Sequence, residues 1–185
     1  MSTSRRVGVL VSGSGTNLQA LIDAGIPIAA VASNVAGAAA LERAARIEAP
    51  LAVFALDDYL DRDARDAAMA DWLASLCVGL VVCAGYMHLL RPVFLARFPG
   101  RVVNVHPALL PAFPGAHAVE EALAAGARET GATVHLVDEG VDTGAVLRQE
   151  AVAVFPGDTP ETLHARIRLV EHRLLTEVVR ELIVS

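Results

Sequence analysis

The 185-residue chain contains no lysine, and all 15 of its basic residues are arginine. A side-chain amine is needed to form a Schiff base, to anchor pyridoxal phosphate and to grip phosphates in a P-loop, so those chemistries are excluded together. Cysteine is nearly absent too. Cys77 and Cys83 flank and enter an apolar run, where a free thiol is expected to pack as a small hydrophobe. There is no basic run, and the formal charge is -6, which speaks against a nucleic-acid or anionic-membrane surface. The longest apolar stretch, Val78 to Leu90 interrupted by His88, falls short of the roughly 20 residues that span a bilayer. Met1 to Arg6 is short and polar, unlike a secretory leader. A cytoplasmic location is expected, with neither nucleic acid nor membrane as partner.

What the chain does have is a large apolar fraction, 54%, with 19% charged residues, a composition suited to a packed interior. Its length predicts one domain, residues 1–185. Val7 to Val11 reads as a strand that ends in Ser12-Gly13-Ser14-Gly15-Thr16-Asn17, after which Leu18, Leu21 and Ile22 recur at helical spacing. Strands are predicted again at Ile28–Ala32, Leu51–Phe54, Leu80–Ala84 and Arg101–Val105, with helices at Ala38–Ile47, Asp61–Leu76 and Pro92–Phe98. That alternation implies a Rossmann-like α/β fold, mostly parallel, with helices on both faces. Ala132–Val137 and Ala145–Val154 are strand-like and joined by a turn rich in Asp and Gly, so an antiparallel C-terminal edge is expected. A final amphipathic helix, Pro160–Val184, follows a cap at Asp158 or Thr159.

Three motifs carry chemistry. The Gly-rich turn places backbone N–H groups at a helix start, where a phosphate can sit, although Leu18 in the position of a third glycine breaks the dinucleotide fingerprint. A plain tight turn capped by Thr16 or Asn17 explains the same residues. Second, Asn104-Val105-His106-Pro107 brings a polar pair to a strand end, where α/β sheets bind ligands. Two residues apart in a strand, Asn104 and His106 share a face, and both can donate to one developing oxyanion. Third, the loop Asp138–Gly144 offers Asp142, although acids in such loops are more often solvated turn residues. His106, His117, His135 and Asp142 could alternatively form a metal site, but no tight ligand spacing supports one and none is predicted. The acids of Asp57 to Asp66 read as a solvated helix start.

Taken together, Ser12 to Ala20, Ala84-Gly85-Tyr86-Met87, Asn104 to Pro111 and Gly140 to Gly144 closely resemble the phosphoribosylglycinamide formyltransferase family, the folate-dependent enzymes of purine biosynthesis. The likeness runs nearly the whole length of the chain and implies the formyltransferase fold. It implies that Asn104, His106 and Asp142 are catalytic, and that Gly15, Thr16, Asn17 and Glu171 bind phosphoribosylglycinamide. Arg62, Met87, His88, Leu89, Leu90 and Asn104 are implied to line the site of 10-formyltetrahydrofolate. His88 stands where an arginine is expected, and Ser14 with Thr16 replaces the more familiar Asn and Ser.

On this resemblance, the glycinamide amine attacks the formyl carbon, Asn104 and His106 stabilise the oxyanion, and Asp142 beside His106 favours the imidazolium. Related methionyl-tRNA formyltransferases and formyltetrahydrofolate deformylases would carry a further domain, for which 185 residues leave little room. A non-catalytic nucleotide sensor and a metal-dependent hydrolase are the rivals of other classes. The expected partners are small molecules, and a homodimer is compatible with the sequence.

Overall fold

The computed structural model describes residues 5–184, so Met1–Ser4 and Ser185, the ends of the expected 1–185 unit, lie outside the described residues. Seven strands form one sheet: β1 (Arg6–Val11), β2 (Ile28–Ser33), β3 (Leu51–Val53), β4 (Val78–Cys83), β5 (Val102–His106), β6 (Glu129–Leu136) and β7 (Val146–Ala153). Their order is β3-β2-β1-β4-β5-β6-β7. The first five run parallel, and β6 runs antiparallel to both of its neighbours, β5 and β7. The expected mostly parallel sheet with an antiparallel C-terminal edge is what the chain builds.

Alternation along the central strands sorts side chains to two cores. Val7, Val9 and Val11 of β1 and Leu80 and Val82 of β4 face the layer of α1 (Thr16–Asp23), α2 (Ala39–Arg46), α5 (Ala118–Ala124) and α6 (Pro160–Val184). Leu10, Val81 and Cys83 face the opposite layer of α3 (Arg62–Ser75) and α4 (Pro92–Arg97). Strands buried on both faces must be apolar throughout, which is why β1 and β4 read as unbroken hydrophobic runs.

Local chemistry sets the helix limits. Asp61 caps α3 by accepting from Ala64 N–H at 2.8 Å, and Pro92 starts α4 at a position where a missing N–H costs nothing. Ahead of α6, the Thr159 and Thr162 hydroxyls each accept from the other's backbone N–H, at 3.3 and 2.9 Å. Three differences from the sequence reading stand out. Helix α5 was not foreseen. Cys77 is exposed with a positive φ of 58°, so only Cys83 packs as a hydrophobe. The acids of Asp57–Asp66 are not all solvated, because Asp66 is fully buried against Arg65.

Candidate active site

Strand order reverses between β1 and β4, and a cleft of about 540 Å³ opens there at the carboxyl ends of β1, β4 and β5. The switch point of a doubly wound sheet is where a crevice must form, because connections leave neighbouring strands in opposite directions. The turn after β1, the Cys83–Leu90 segment after β4 and the end of β5 line it, joined by the β6–β7 loop and by His164, Arg168 and Glu171 of α6.

The turn after β1 ends at Gly15, whose φ of 72° makes it a left-handed N-cap of α1 without a side-chain cap. A Cβ there would stand 2.5 Å from the Cβ of Ala40, so glycine is required twice over. Neither Thr16 nor Asn17 caps the helix, which leaves its first-turn N–H groups directed at the cleft without an acid among them. Arg43 braces the turn, donating to Ser14 C=O and to Gln19, both at 2.9 Å.

The polar centre is assembled across β5 and β6. Antiparallel register sets Asn104 opposite His135 and His106 opposite Thr133, so all four point to one face. Asn104 Nδ2 lies 3.2 Å from His135 Nε2. His106 is buried, with Nε2 2.7 Å from Phe113 C=O and Nδ1 3.3 Å from Asp142 Oδ2. Both neighbours are acceptors, one facing each ring nitrogen. Asp142 Oδ1 is 3.4 Å from His135 Nε2, and Oδ2 accepts from Gly115 N–H at 2.8 Å. The hydrogen bond with His135, then that with Gly115, holds the Asp142 carboxyl below the usual carboxylate range against the opposing effect of burial.

Two supports fix this centre. Thr133 Oγ donates to Ala108 C=O at 2.6 Å and accepts from Leu110 N–H, while Gln149 donates to Leu110 C=O. Together they pin the turn that carries the Phe113 carbonyl to His106. In the β6–β7 loop, Asp138 accepts from Gly140 N–H and from the Thr143 hydroxyl, and Asp142 itself has a φ of 53°.

At the far end of the cleft Glu171 is 4% exposed, and burial pushes its carboxyl up to about 7, with Arg168 opposing. Its one ion-pair contact among the described residues is His164 Nε2 at 3.9 Å. At the mouth, Met87, Leu89 and Val141 stay exposed, forming an apolar lip above the buried Leu90. Cys83 lines the floor, but burial pushes its thiol up to about 12, so it is no thiolate nucleophile at neutral pH.

Of the residues singled out from the sequence, Asn104, His106, Asp142, Gly15, Thr16, Asn17, Glu171, Met87, His88, Leu89 and Leu90 all meet in this cleft. Arg62 does not line it. As the exposed first residue of α3 it stands outside, near enough for its charge to act on Tyr86 and His88. The metal alternative loses its geometry: His117 is exposed at the start of α5, and no cluster of three or more His, Cys, Asp or Glu able to hold a metal occurs among the described residues. Sequence reasoning missed Arg168 and His164 as residues of this cleft, and named His135 beside His106 and Asp142 only in the metal alternative. For His135 the available signal was an imidazole between Val134 and Leu136, in step with Thr133 at the period of two.

The chain is similar to known proteins along nearly its whole length. The Formyl transferase family profile matches residues 5–179. A phosphoribosylglycinamide formyltransferase of Mycobacterium tuberculosis is 49% identical over 98% of this chain and 86% of its own length. A trifunctional purine biosynthetic protein adenosine-3 of Drosophila pseudoobscura is 47% identical over 91% of this chain, which spans 13% of that longer protein. The crystal structure of glycinamide ribonucleotide transformylase 1 from Symbiobacterium toebii superposes with a TM-score of 0.95 at 46% identity, covering 97% of this chain and 88% of that one.

Proposed function

The chain belongs to the formyl transferase family, and on that premise we propose how it formylates the amine of glycinamide ribonucleotide for purine biosynthesis. The folate-type formyl donor is 10-formyltetrahydrofolate in this reading. The observation that carries it is the grouping of Asn104, His106 and His135 on one sheet face with Asp142 of the β6–β7 loop against them, between a phosphate-sized turn and an apolar lip.

Gly15, Thr16 and Asn17 take the phosphate through backbone N–H groups at the start of α1. Arg168, the sole arginine among the described residues lining the cleft, adds positive charge, and buried Glu171 accepts from the substrate's polar groups. Met87, Leu89 and Leu90 cover the flat rings of the donor, an apolar surface that water otherwise wets at a cost.

The glycinamide nitrogen attacks the formyl carbon, forming a C–N bond and pushing the carbonyl electrons onto oxygen. Asn104 donates to that oxyanion, joined by His106 as its Nε2–H turns from the Phe113 carbonyl to the developing charge, while Asp142 orients the ring at Nδ1. Collapse breaks the bond to N10, which leaves as an amine. The proton released by the attacking nitrogen equals the one N10 takes up, so the transfer needs no external acid. His135, fixed through Nδ1 on Leu136 C=O, sets Nε2 between the Asn104 amide and Asp142 Oδ1.

The reading takes residues 1–185 as one formyltransferase domain acting on small molecules in the cytoplasm, without metal, nucleic acid or membrane. A homodimer is compatible with it and is not required. The test is turnover: purified protein given glycinamide ribonucleotide and 10-formyltetrahydrofolate should release tetrahydrofolate at a rate unchanged by a chelator. Absence of release, or its loss on chelation, would overturn the reading.

A further inference from the structure

Arg65 is fully buried, as is its partner Asp66. Arg65 Nε donates to Asp66 Oδ1 at 2.8 Å, and Nη2 lies 2.7 Å from the same oxygen. The other carboxylate oxygen, Oδ2, accepts from Arg91 N–H at 2.8 Å. The remaining terminal nitrogen of Arg65, Nη1, reaches out to His88 Nδ1 at 2.6 Å. This pair therefore grips the Met87–Leu90 lip at His88 and just beyond it at Arg91, while Met87 N–H donates to the Ser12 hydroxyl at 2.9 Å.

A guanidinium can only donate, so His88 Nδ1 must present its lone pair and the ring proton must sit on Nε2. That nitrogen lies 3.4 Å from the Asn34 amide nitrogen, and a half-turn of the carboxamide places Asn34 Oδ1 on it as acceptor while the amide nitrogen takes the place of the oxygen 2.6 Å from Ser12 Oγ and donates to that hydroxyl. The groups facing His88 are Arg62, Arg65 and Asp66 of α3, Asn34 beyond β2, and the Tyr86 ring, which meets it edge-on at 6.1 Å. Burial, Arg65 and Arg62 all hold the imidazole below its usual range, and Asp66 opposes them only in part.

We propose that His88 is an uncharged strut through which the buried Arg65–Asp66 pair positions the Met87–Leu90 lip against the formyl donor. The proposal rests on reading that lip as the donor site. It makes Arg65 and His88 positioning residues and withholds from the donor a cation at position 88.

Two measurements test it. Long-range proton–nitrogen correlation on protein with 15N-labelled histidine, with His88 assigned from its loss in His88→Gln, should show a neutral ring protonated on Nε2 at pH 7. A charged ring, or a proton on Nδ1, would overturn the strut. In steady-state kinetics His88→Ala should raise the donor KM about tenfold, the worth of one charge-assisted hydrogen bond, with kcat and the glycinamide ribonucleotide KM changed less than about twofold. His88→Gln, whose Oε1 can accept from Arg65, should restore most of the loss. An unchanged donor KM in His88→Ala, or no recovery in His88→Gln, counts against the proposal. Should the native protein transfer no formyl group at all, the functional reading fails, while the spectrum still decides the state of His88.

Discussion

Truncating His106 to alanine removes a donor to the oxyanion and the partner of Phe113 C=O, and truncating Asp142 removes the acceptor of Gly115 N–H, while the β5–β6 ladder stays paired. His106→Ala and Asp142→Ala should each lower kcat by about 10² to 10⁴, with an unchanged circular dichroism spectrum and donor affinity largely kept. Near-normal turnover in either would remove that residue from the mechanism. Glu171 offers a test with the opposite sign for stability. Folded, its carboxyl keeps a proton up to about 7, against an ordinary 4.5, so between those values the native state holds more protons than the unfolded one. Stability must therefore fall as pH rises through that window. Glu171→Gln cannot ionise, and should match the parent below pH 4.5 yet exceed it above pH 7, by on the order of 3 kcal/mol. Melting scans across pH read this directly, and the same variant should bind glycinamide ribonucleotide more weakly. At this scale Asn104 and His106 were legible in the sequence because a strand end aims them. His135 was not, because its alignment with Asn104 exists only once β5 and β6 pair. Arg65 was hidden by its acidic neighbours, since nothing in Asp61 to Asp66 tells which arginine turns inward.

The elements were legible in proportion to how local their causes are. Helix α6 runs from Pro160 to Val184 as its apolar period and threonine cap predict. Helix α5, seven residues long with His117 as an N-cap that makes no side-chain bond, gives no comparable signal. Strand β4 begins at Val78 and β6 at Glu129, ahead of the predicted starts, because the pairing neighbour decides where a ladder begins. The cap of α6 makes a prediction of its own: Thr159→Ala should cost about 1 kcal/mol, or roughly 2–4 °C in Tm, with kcat unaffected. Gly15→Ala acts on an element junction and should do more. The forced positive φ and the collision with Ala40 must displace α1 from α2, raising the KM for glycinamide ribonucleotide and lowering Tm together. A Gly15→Ala protein with native Tm and KM would show that the turn can relax without touching the phosphate site.

Across the whole molecule the cleft draws on the parallel strands, the antiparallel hairpin and α6 at once. A ligand that bridges them stabilises all three against unfolding. Saturation at 100 times Kd should add about 2.7 kcal/mol, a rise of roughly 5–11 °C in Tm that thermal shift with glycinamide ribonucleotide can measure. No shift at millimolar ligand would argue against binding in this cleft. The fold class was legible because alternating strands and helices admit few topologies. The location of the seam between parallel and antiparallel pairing followed from it, whereas the face on which chemistry would gather did not. That face has a consequence for how such a chain can change over generations. His135 reaches Asn104 only through strand parity, so one residue inserted between Gly131 and Val134 would turn His135 outward and bring Val134 in its place, with composition almost untouched. Insertions in pairs would keep the parity, and so length drift in this hairpin should come in twos or be confined to the strand ends.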